Sequence, residues 1–268
     1  MRLLIFAFLL IVYMGAHAQK LPNVQQVSLR APANVKIDGK ATEWDGKFEA
    51  YNKNTQIYYT ISNNADNLYL TVQVTDLTII KKVLAAGITF TINQANKQKD
   101  STTTAFSYPF YSRDQKLITI DDQLISGAKP GDSFQFDSLA KAYNTQITTV
   151  FKLIGTIGLK GINDNFVSIY NEEGIKAASC FNKDLLYSYE LAIPLKLLGY
   201  KANGSTKFNY NIQTNGQKTF NGYVIVPAPG RSTLLTFEDD NGKRFMLDQN
   251  FKDIYYATDF WGEYTLAE

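Results

Sequence analysis

A single histidine and a single cysteine leave this chain poor in reactive side chains. His17 lies in Gly15-Ala16-His17-Ala18-Gln19, behind Arg2 and an apolar run from Leu3 to Met14. A basic start, a short apolar stretch and an Ala-x-Ala end make a secretory signal peptide. Cleavage after Ala18 divides the chain into a signal, 1–18, and one domain, 19–268, in a secreted or periplasmic protein that keeps no histidine. Such a protein has no imidazole base for a Ser-His-Asp or Cys-His site, and no imidazole ligand for zinc, copper or haem. The alternative, an uncleaved anchor, needs a run of about 20 apolar residues, which this one does not reach. No second hydrophobic span follows, so no membrane span is expected after cleavage.

Cys180 alone excludes an internal disulfide, and the fold must be held by its core. Its neighbours Ala177, Ala178 and Phe181 suit a buried, inert thiol better than a nucleophile. A formal net charge of +2 argues against nucleic acid as a partner, because phosphate binding needs clustered positive charge. The longest basic stretch, Asn96-Lys97-Gln98-Lys99, is followed by Asp100 and reads as a solvated hairpin tip.

What the chain does have is aromatic and β-forming residues, with 17 Tyr and 17 Phe. Ile57, Tyr59 and Ile61 alternate with Gln56, Tyr58 and Thr60; after the turn cluster 63–67, Leu68, Leu70, Val72 and Val74 alternate with Tyr69, Thr71, Gln73 and Thr75. Two such runs around an Asn/Asp-rich loop predict a hairpin. The same period recurs at 88–92, 151–157, 187–193, 208–212, 223–226, 234–237 and 245–247. Helix is expected only over Asp137 to Thr145, with Asp137 as N-cap, and as one turn over Leu195 to Leu198 between Pro194 and Gly199. Many short strands with little helix predict an all-β fold, an antiparallel β-sandwich with short helical turns, with 100–147 as a long excursion.

Three segments in order carry a resemblance. They are Ile37-Asp38-Gly39 running to Glu43-Trp44, Asn67-Leu68-Tyr69-Leu70 running to Asp76, and Tyr189-Glu190-Leu191-Ala192-Ile193-Pro194 before Leu198-Gly199. Together they resemble family 9 carbohydrate-binding modules over roughly residues 30 to 266. The resemblance implies a sandwich that binds sugar chain ends or polysaccharide, with calcium in some members. Well-studied members hold a sugar between two tryptophans. After the signal this chain has only Trp44, at the fold motif and read as a core anchor, and Trp261, in the closing segment. Most motif residues read as structural: Asp38-Gly39 as a turn, Ile193-Pro194 as a strand end, and Glu190 as facing away from the core.

Sugar recognition needs flat rings and groups that both donate and accept hydrogen bonds. Asn209, Asn211, Gln213 and Asn215 share one face of their strand, opposite Phe208, Tyr210 and Ile212. If the row Tyr69, Thr71, Gln73 and Thr75 is their neighbour, the two rows build a polar shelf; alone they are ordinary solvent-facing residues. The segment 106–114 packs four aromatics beside Arg113 and Asp114, and is either a binding loop with a charged clamp or a strand whose rings fill the core. The candidate carbohydrate-binding residues are therefore Tyr108, Tyr111, Arg113, Asn211, Gln213, Asn215 and Trp261, although Trp261 with Tyr264 also suits closure of the sandwich. The pairs Glu172-Glu173 and Asp121-Asp122 face opposite sides of a strand and make poor acid–base couples. Glu238-Asp239-Asp240-Asn241 lacks the alternate spacing of a calcium loop and reads as a solvated turn. The expectation is a non-catalytic carbohydrate binder without cofactor or metal, calcium being the one to test. The alternative is a structural or protein-interaction module of the cell envelope.

Overall fold

Strands with an apolar residue at every second position must bury one face, and here two antiparallel sheets bury theirs against each other. The computed structural model describes residues 20–112, 117–121, 125, 133–162, 164–217, 222–225, 236–239, 244–246 and 253–268. The expected signal segment lies outside them. Strands are numbered in chain order. One sheet runs β1 (Ala50–Asn52), β2 (Ile57–Asn63), β3 (Asn67–Val74), β9 (Tyr187–Pro194) and β8 (Lys176–Phe181). The other runs β14 (Thr258–Thr265), β10 (Lys207–Thr214), β4 (Ile88–Asn93), β5 (Thr104–Phe110), β6 (Leu153–Ile157) and β7 (Phe166–Ser168). A separate three-stranded sheet holds β11 (Gly222–Ile225), β12 (Thr236–Asp239) and β13 (Arg244–Met246). The mostly-β, sandwich-like architecture read from the sequence is therefore present.

The space between the two large sheets is filled by rings and branched aliphatics. Tyr59, Val72, Tyr187 and Tyr189 come from the five-stranded sheet, and Phe90, Phe106, Phe208 and Tyr210 from the six-stranded one, all essentially without solvent contact. The Tyr59 and Tyr210 hydroxyls meet at 3.0 Å and satisfy each other across the gap.

Helices among the described residues flank the sheets. α1 (Leu77–Ala86) was not expected; Asp76 Oδ1 accepts from the backbone N–H of Thr78 at 2.8 Å and of Ile79 at 3.1 Å and caps a helix. α2 (Ser133–Val150) begins before the expected 137–145 and runs past it. Asp137 is therefore inside the helix, paired with Lys141 at 2.6 Å, rather than its cap. Ala140, Tyr143 and Ile147 form its buried stripe, and the Asn144 side chain bonds both the N–H and the C=O of Phe181, the last residue of edge strand β8. α3 (Leu195–Leu198) is the expected single turn, closed by Gly199 in the left-handed region.

The outer face of the five-stranded sheet is closed. The segment 31–48 lies over it, with Trp44, Ala31, Val35 and Ile37 packing on Tyr69 and Ala192. The Asp38-Gly39 turn is held by Glu190, whose Oε2 accepts from Gly39 N at 2.8 Å and Asp38 N at 3.1 Å. Gly39 sits at φ +83°, and a Cβ there would stand 2.5 Å from the backbone of Ser179, so only glycine fits. The half-buried Cys180 thiol donates to Gly39 O at 3.1 Å, and burial pushes its pKa up to about 11, in keeping with an inert thiol.

Glu190 has no solvent contact, and its Oε1 has no partner among the described residues. Burial pushes its carboxyl up to about 7 from an ordinary 4.5, with the nearby Glu43 and Asp38 carboxylates adding to the rise and the two backbone N–H groups opposing it. The folded chain thus holds this proton more tightly than the unfolded chain. Its contribution to stability is complete below about pH 4.5 and is lost as pH rises through about 7. Urea unfolding at pH 5 and pH 8 should give a difference between the parent and Glu190→Gln of about 3 kcal/mol, the parent losing stability towards pH 8 relative to the variant. Equal pH slopes in the two proteins would contradict this.

Candidate functional site

The six-stranded sheet has a different outer face. The alternation that sends Phe208, Tyr210 and Ile212 inward sends Asn209, Asn211 and Gln213 outward. Tyr69, Thr71 and Gln73 also point outward, but from β3 in the opposite sheet, and Tyr69 and Thr71 are buried beneath the 31–48 segment. The two polar rows are therefore not neighbours, and no shelf joins them.

At the end of the six-stranded sheet next to α1, a cleft of about 610 Å³ opens on this outer face. Its walls include the amides of Gln213, Asn215 and Gln217 and the rings of Phe110, Tyr111 and Tyr255. No charged side chain lines it among the described residues. Two of the amides are locked. Asn215 donates from Nδ2 to Ala86 O at 2.9 Å, while its Oδ1 accepts from Gln213 Nε2 at 2.8 Å and Thr89 Oγ1 at 3.0 Å. Gln213 Oε1 accepts from Lys99 Nζ at 2.6 Å. A backbone carbonyl accepts only and an ammonium donates only, so both orientations are fixed by their partners. Each NH₂ keeps one N–H uncommitted among the described residues. The Gln217 side chain has no hydrogen-bond partner among the described residues.

The ring of Phe110 reaches the cleft through an irregularity. β5 pairs with β6 as Ser107↔Gly155 and then as Phe110↔Leu153, so three steps along β5 answer two along β6. This bulge reverses the parity of β5. Phe106 and Tyr108 point into the core, whereas Phe110 swings over the outer face and lies on Gly155, where a Cβ would stand 2.5 Å from the ring. Phe166 of β7 stacks on Phe110 at 5.7 Å between centroids and 24° between planes. Gly155 is thus the gap in the sheet surface that the edge of the Phe110 ring occupies.

The candidate residues named from the sequence are divided by this geometry. Tyr111, Gln213 and Asn215 meet at the cleft. The Tyr111 hydroxyl donates to Leu84 O and burial raises its pKa, so it stays a neutral phenol. Tyr108 is a core ring, packed on Phe151 at 5.8 Å and Tyr189 at 5.9 Å, because the bulge lies beyond it. Asn211 faces outward as expected but is sealed off, its Nδ2 donating to Asp259 Oδ2 at 2.7 Å and Phe260 O at 2.9 Å. Trp261 pairs in register with Asn211 on the same face and borders a second hollow, of about 450 Å³, beside Lys97, Lys207 and Glu263. Hydrogen bonds from Lys207 and Lys97 hold the Glu263 carboxyl below its usual range. Arg113 lies outside the described residues.

Sequence reasoning did not single out Phe110, Phe166, Gln217 or Tyr255. Pro109 within a strand-like run was the available sign of a bulge, because proline in a sheet marks an edge or an irregularity. No group of three or more His, Cys, Asp or Glu side chains among the described residues is placed to hold a metal. No helix among them is long and apolar enough to cross a membrane. The chain matches no protein-family model and no curated protein sequence.

The amide network predicts a graded response. Asn215→Ala removes three side-chain hydrogen bonds and leaves Ala86 O and Thr89 Oγ1 to find new partners, so it should cost about 1–3 kcal/mol in urea unfolding. Gln213→Ala gives up an open contact with Lys99 and one amide bond, and should cost less than about 1 kcal/mol. A larger loss at Gln213 than at Asn215 would reverse this assignment of the anchor.

Proposed function

We propose that this protein is a non-catalytic carbohydrate-binding protein of the secreted or periplasmic compartment. The cleft at Gln213 carries the reading: three amides beside three aromatic rings, in a hollow of about 610 Å³ with no charged lining side chain among the described residues. Rings cover the C–H faces of a sugar, and amide N–H and C=O groups meet its hydroxyls. Phe110, set against Gly155 and beside Phe166, is the stacking platform. Gln213 and Asn215 present N–H donors whose positions are set before a ligand arrives, which lowers the ordering cost of binding.

Binding in this reading involves no bond making. The buried carboxylate of raised pKa, Glu190, faces the Asp38-Gly39 turn on the opposite sheet and does not line the cleft. The resemblance to family 9 carbohydrate-binding modules and the signal-like start support the same assignment of class and compartment. The assignment includes no metal, and calcium addition is one arm of the test.

One observation favours the second reading, a protein-interaction module. Ile157 and Phe166 are 62% and 40% exposed on adjoining strands of the same face. These apolar groups continue the platform of Phe110, and a protein partner would bury them as well.

The deciding experiment is a glycan array with purified protein, with and without calcium, followed by calorimetry on each hit. Phe110→Ala and Gln213→Ala should each weaken a true hit about tenfold, the loss of roughly one stacking or hydrogen-bonding contact. Hits unaffected by either change would place the sugar elsewhere, and no hit at all would leave the interaction module as the better reading.

A further inference from the structure

The outer face of the six-stranded sheet carries one open row that crosses all six strands. Taken by register it runs Phe166, Gly155, Ser107, Thr89, Gln213 and Asp259. None of the side-chain-bearing members is buried. The next row, Trp261, Asn211, Thr91 and Ala105, is closed in its middle, since Asn211, Thr91 and Ala105 are all buried. The hairpin between β4 and β5, 94–103, crosses towards β10 and β14, with Lys99 Nζ on Gln213 Oε1 and Lys97 Nζ 3.1 Å from Glu263. The open row is therefore a lane with a wall along one side.

Its chemistry changes in order along its length. At the β7 end lie the stacked rings of Phe166 and Phe110. In the middle, the Thr89 and Ser107 hydroxyls share a hydrogen bond of 2.7 Å. Next come the fixed amides of Gln213 and Asn215, and at the β14 end the Asp259 carboxylate, with the Trp261 ring two residues along the same face. Six strands make five spacings of ~4.8 Å, a lane of roughly 24 Å. A sugar residue in an extended chain is about as long as one such spacing, so the lane matches about five residues. A chain end held in the cleft alone would use the amides and the Phe110, Tyr111 and Tyr255 rings, and would leave Phe166, the hydroxyl pair and Trp261 without a role.

We infer that this face takes the interior of an extended, uncharged glycan chain lying across the strands, and not a chain end. The inference rests on the carbohydrate reading above and fixes the part of the ligand that is read. A chain crossing the lane stacks on the rings at its β7 end and comes within reach of Trp261, in the neighbouring row, at its β14 end, and its reducing terminus projects beyond the sheet.

The test is calorimetry with gluco-, manno- and xylo-oligosaccharide ladders from two to six units, each also as its borohydride-reduced alditol. Affinity should climb with each unit up to about five, by at least tenfold from the disaccharide, and the reduced hexasaccharide should bind as the unreduced one does. Phe166→Ala and Trp261→Ala, at opposite ends of the lane, should both narrow the ratio of hexasaccharide to disaccharide affinity. Phe166 is partly exposed, so its variant keeps the test valid if Trp261→Ala fails to fold. Full affinity at the disaccharide, or loss of binding on reduction of the terminus, overturns the lane and leaves the carbohydrate reading standing. Absence of binding by every ladder overturns both.

Discussion

The hydrogen bond between Tyr59 and Tyr210 joins the two sheets at the middle of the core, and the orientation of the rest follows from it. Tyr59 belongs to β2 and Tyr210 to β10, so the pair fixes the inward face of β10. With that face set, strand alternation sends Asn209, Asn211 and Gln213 outward. The bond gives two of the buried core tyrosines a partner in each other, while the Tyr187 and Tyr189 hydroxyls have none among the described residues. Gly262 of β14 helps: a Cβ there would stand 2.3 Å from the Tyr210 ring, so β14 can pair with β10 only by giving up a side chain at that point.

From that core the two outer faces take opposite courses. The five-stranded sheet is covered by 31–48, at the cost of burying the Glu190 carboxyl against two N–H groups. Closing a loop over a sheet needs partners for the loop's own backbone, and a carboxylate on the sheet supplies them to a turn that carries no strand pairing. Among the described residues, no segment covers the six-stranded sheet over its Gly155–Gln213 row in this way. Its outward residues are kept in order by one another, through the Thr89, Ser107, Gln213, Asn215 and Lys99 bonds. One face is spent on stability, and the other remains available for contact.

The sequence made much of this legible, and the illegible parts have physical reasons. Period-two runs gave most of the strands, because a half-buried strand must alternate. α1 escaped although Ile79, Ile80, Val83 and Leu84 recur at helical spacing between the Asp76 cap and the Gly87 stop, because Thr78, Ile79, Ile80 and Val83 are β-branched and weaken the helical preference. Strand order has no local signature, so two polar rows with the same pattern could not be assigned to opposite sheets. The bulge between Ser107 and Phe110 reverses the facing of one aromatic and not of its neighbours. Parity counted through the segment therefore treats Tyr108 and Phe110 alike, although one is core and the other platform. The burial of Asn211 depends on what lies over and beside it from other strands, which alternation alone does not reveal.

The locked amides bear on why a cleft with no charged lining side chain among the described residues is proposed to suit sugars. A free Gln or Asn side chain loses rotamer freedom on binding a hydroxyl, and an isolated neutral hydrogen bond returns about as much as that ordering costs. In Gln213 and Asn215 the ordering is already done by Lys99, Thr89 and Ala86 O. Their spare N–H groups then act as fixed donors, while the Phe110 ring supplies the apolar part of the contact from a position set by Gly155. Neither element alone is enough. Rings without donors would favour an apolar partner, and donors without rings would only exchange water, so the proposal of a hydroxyl-rich ligand depends on both standing together.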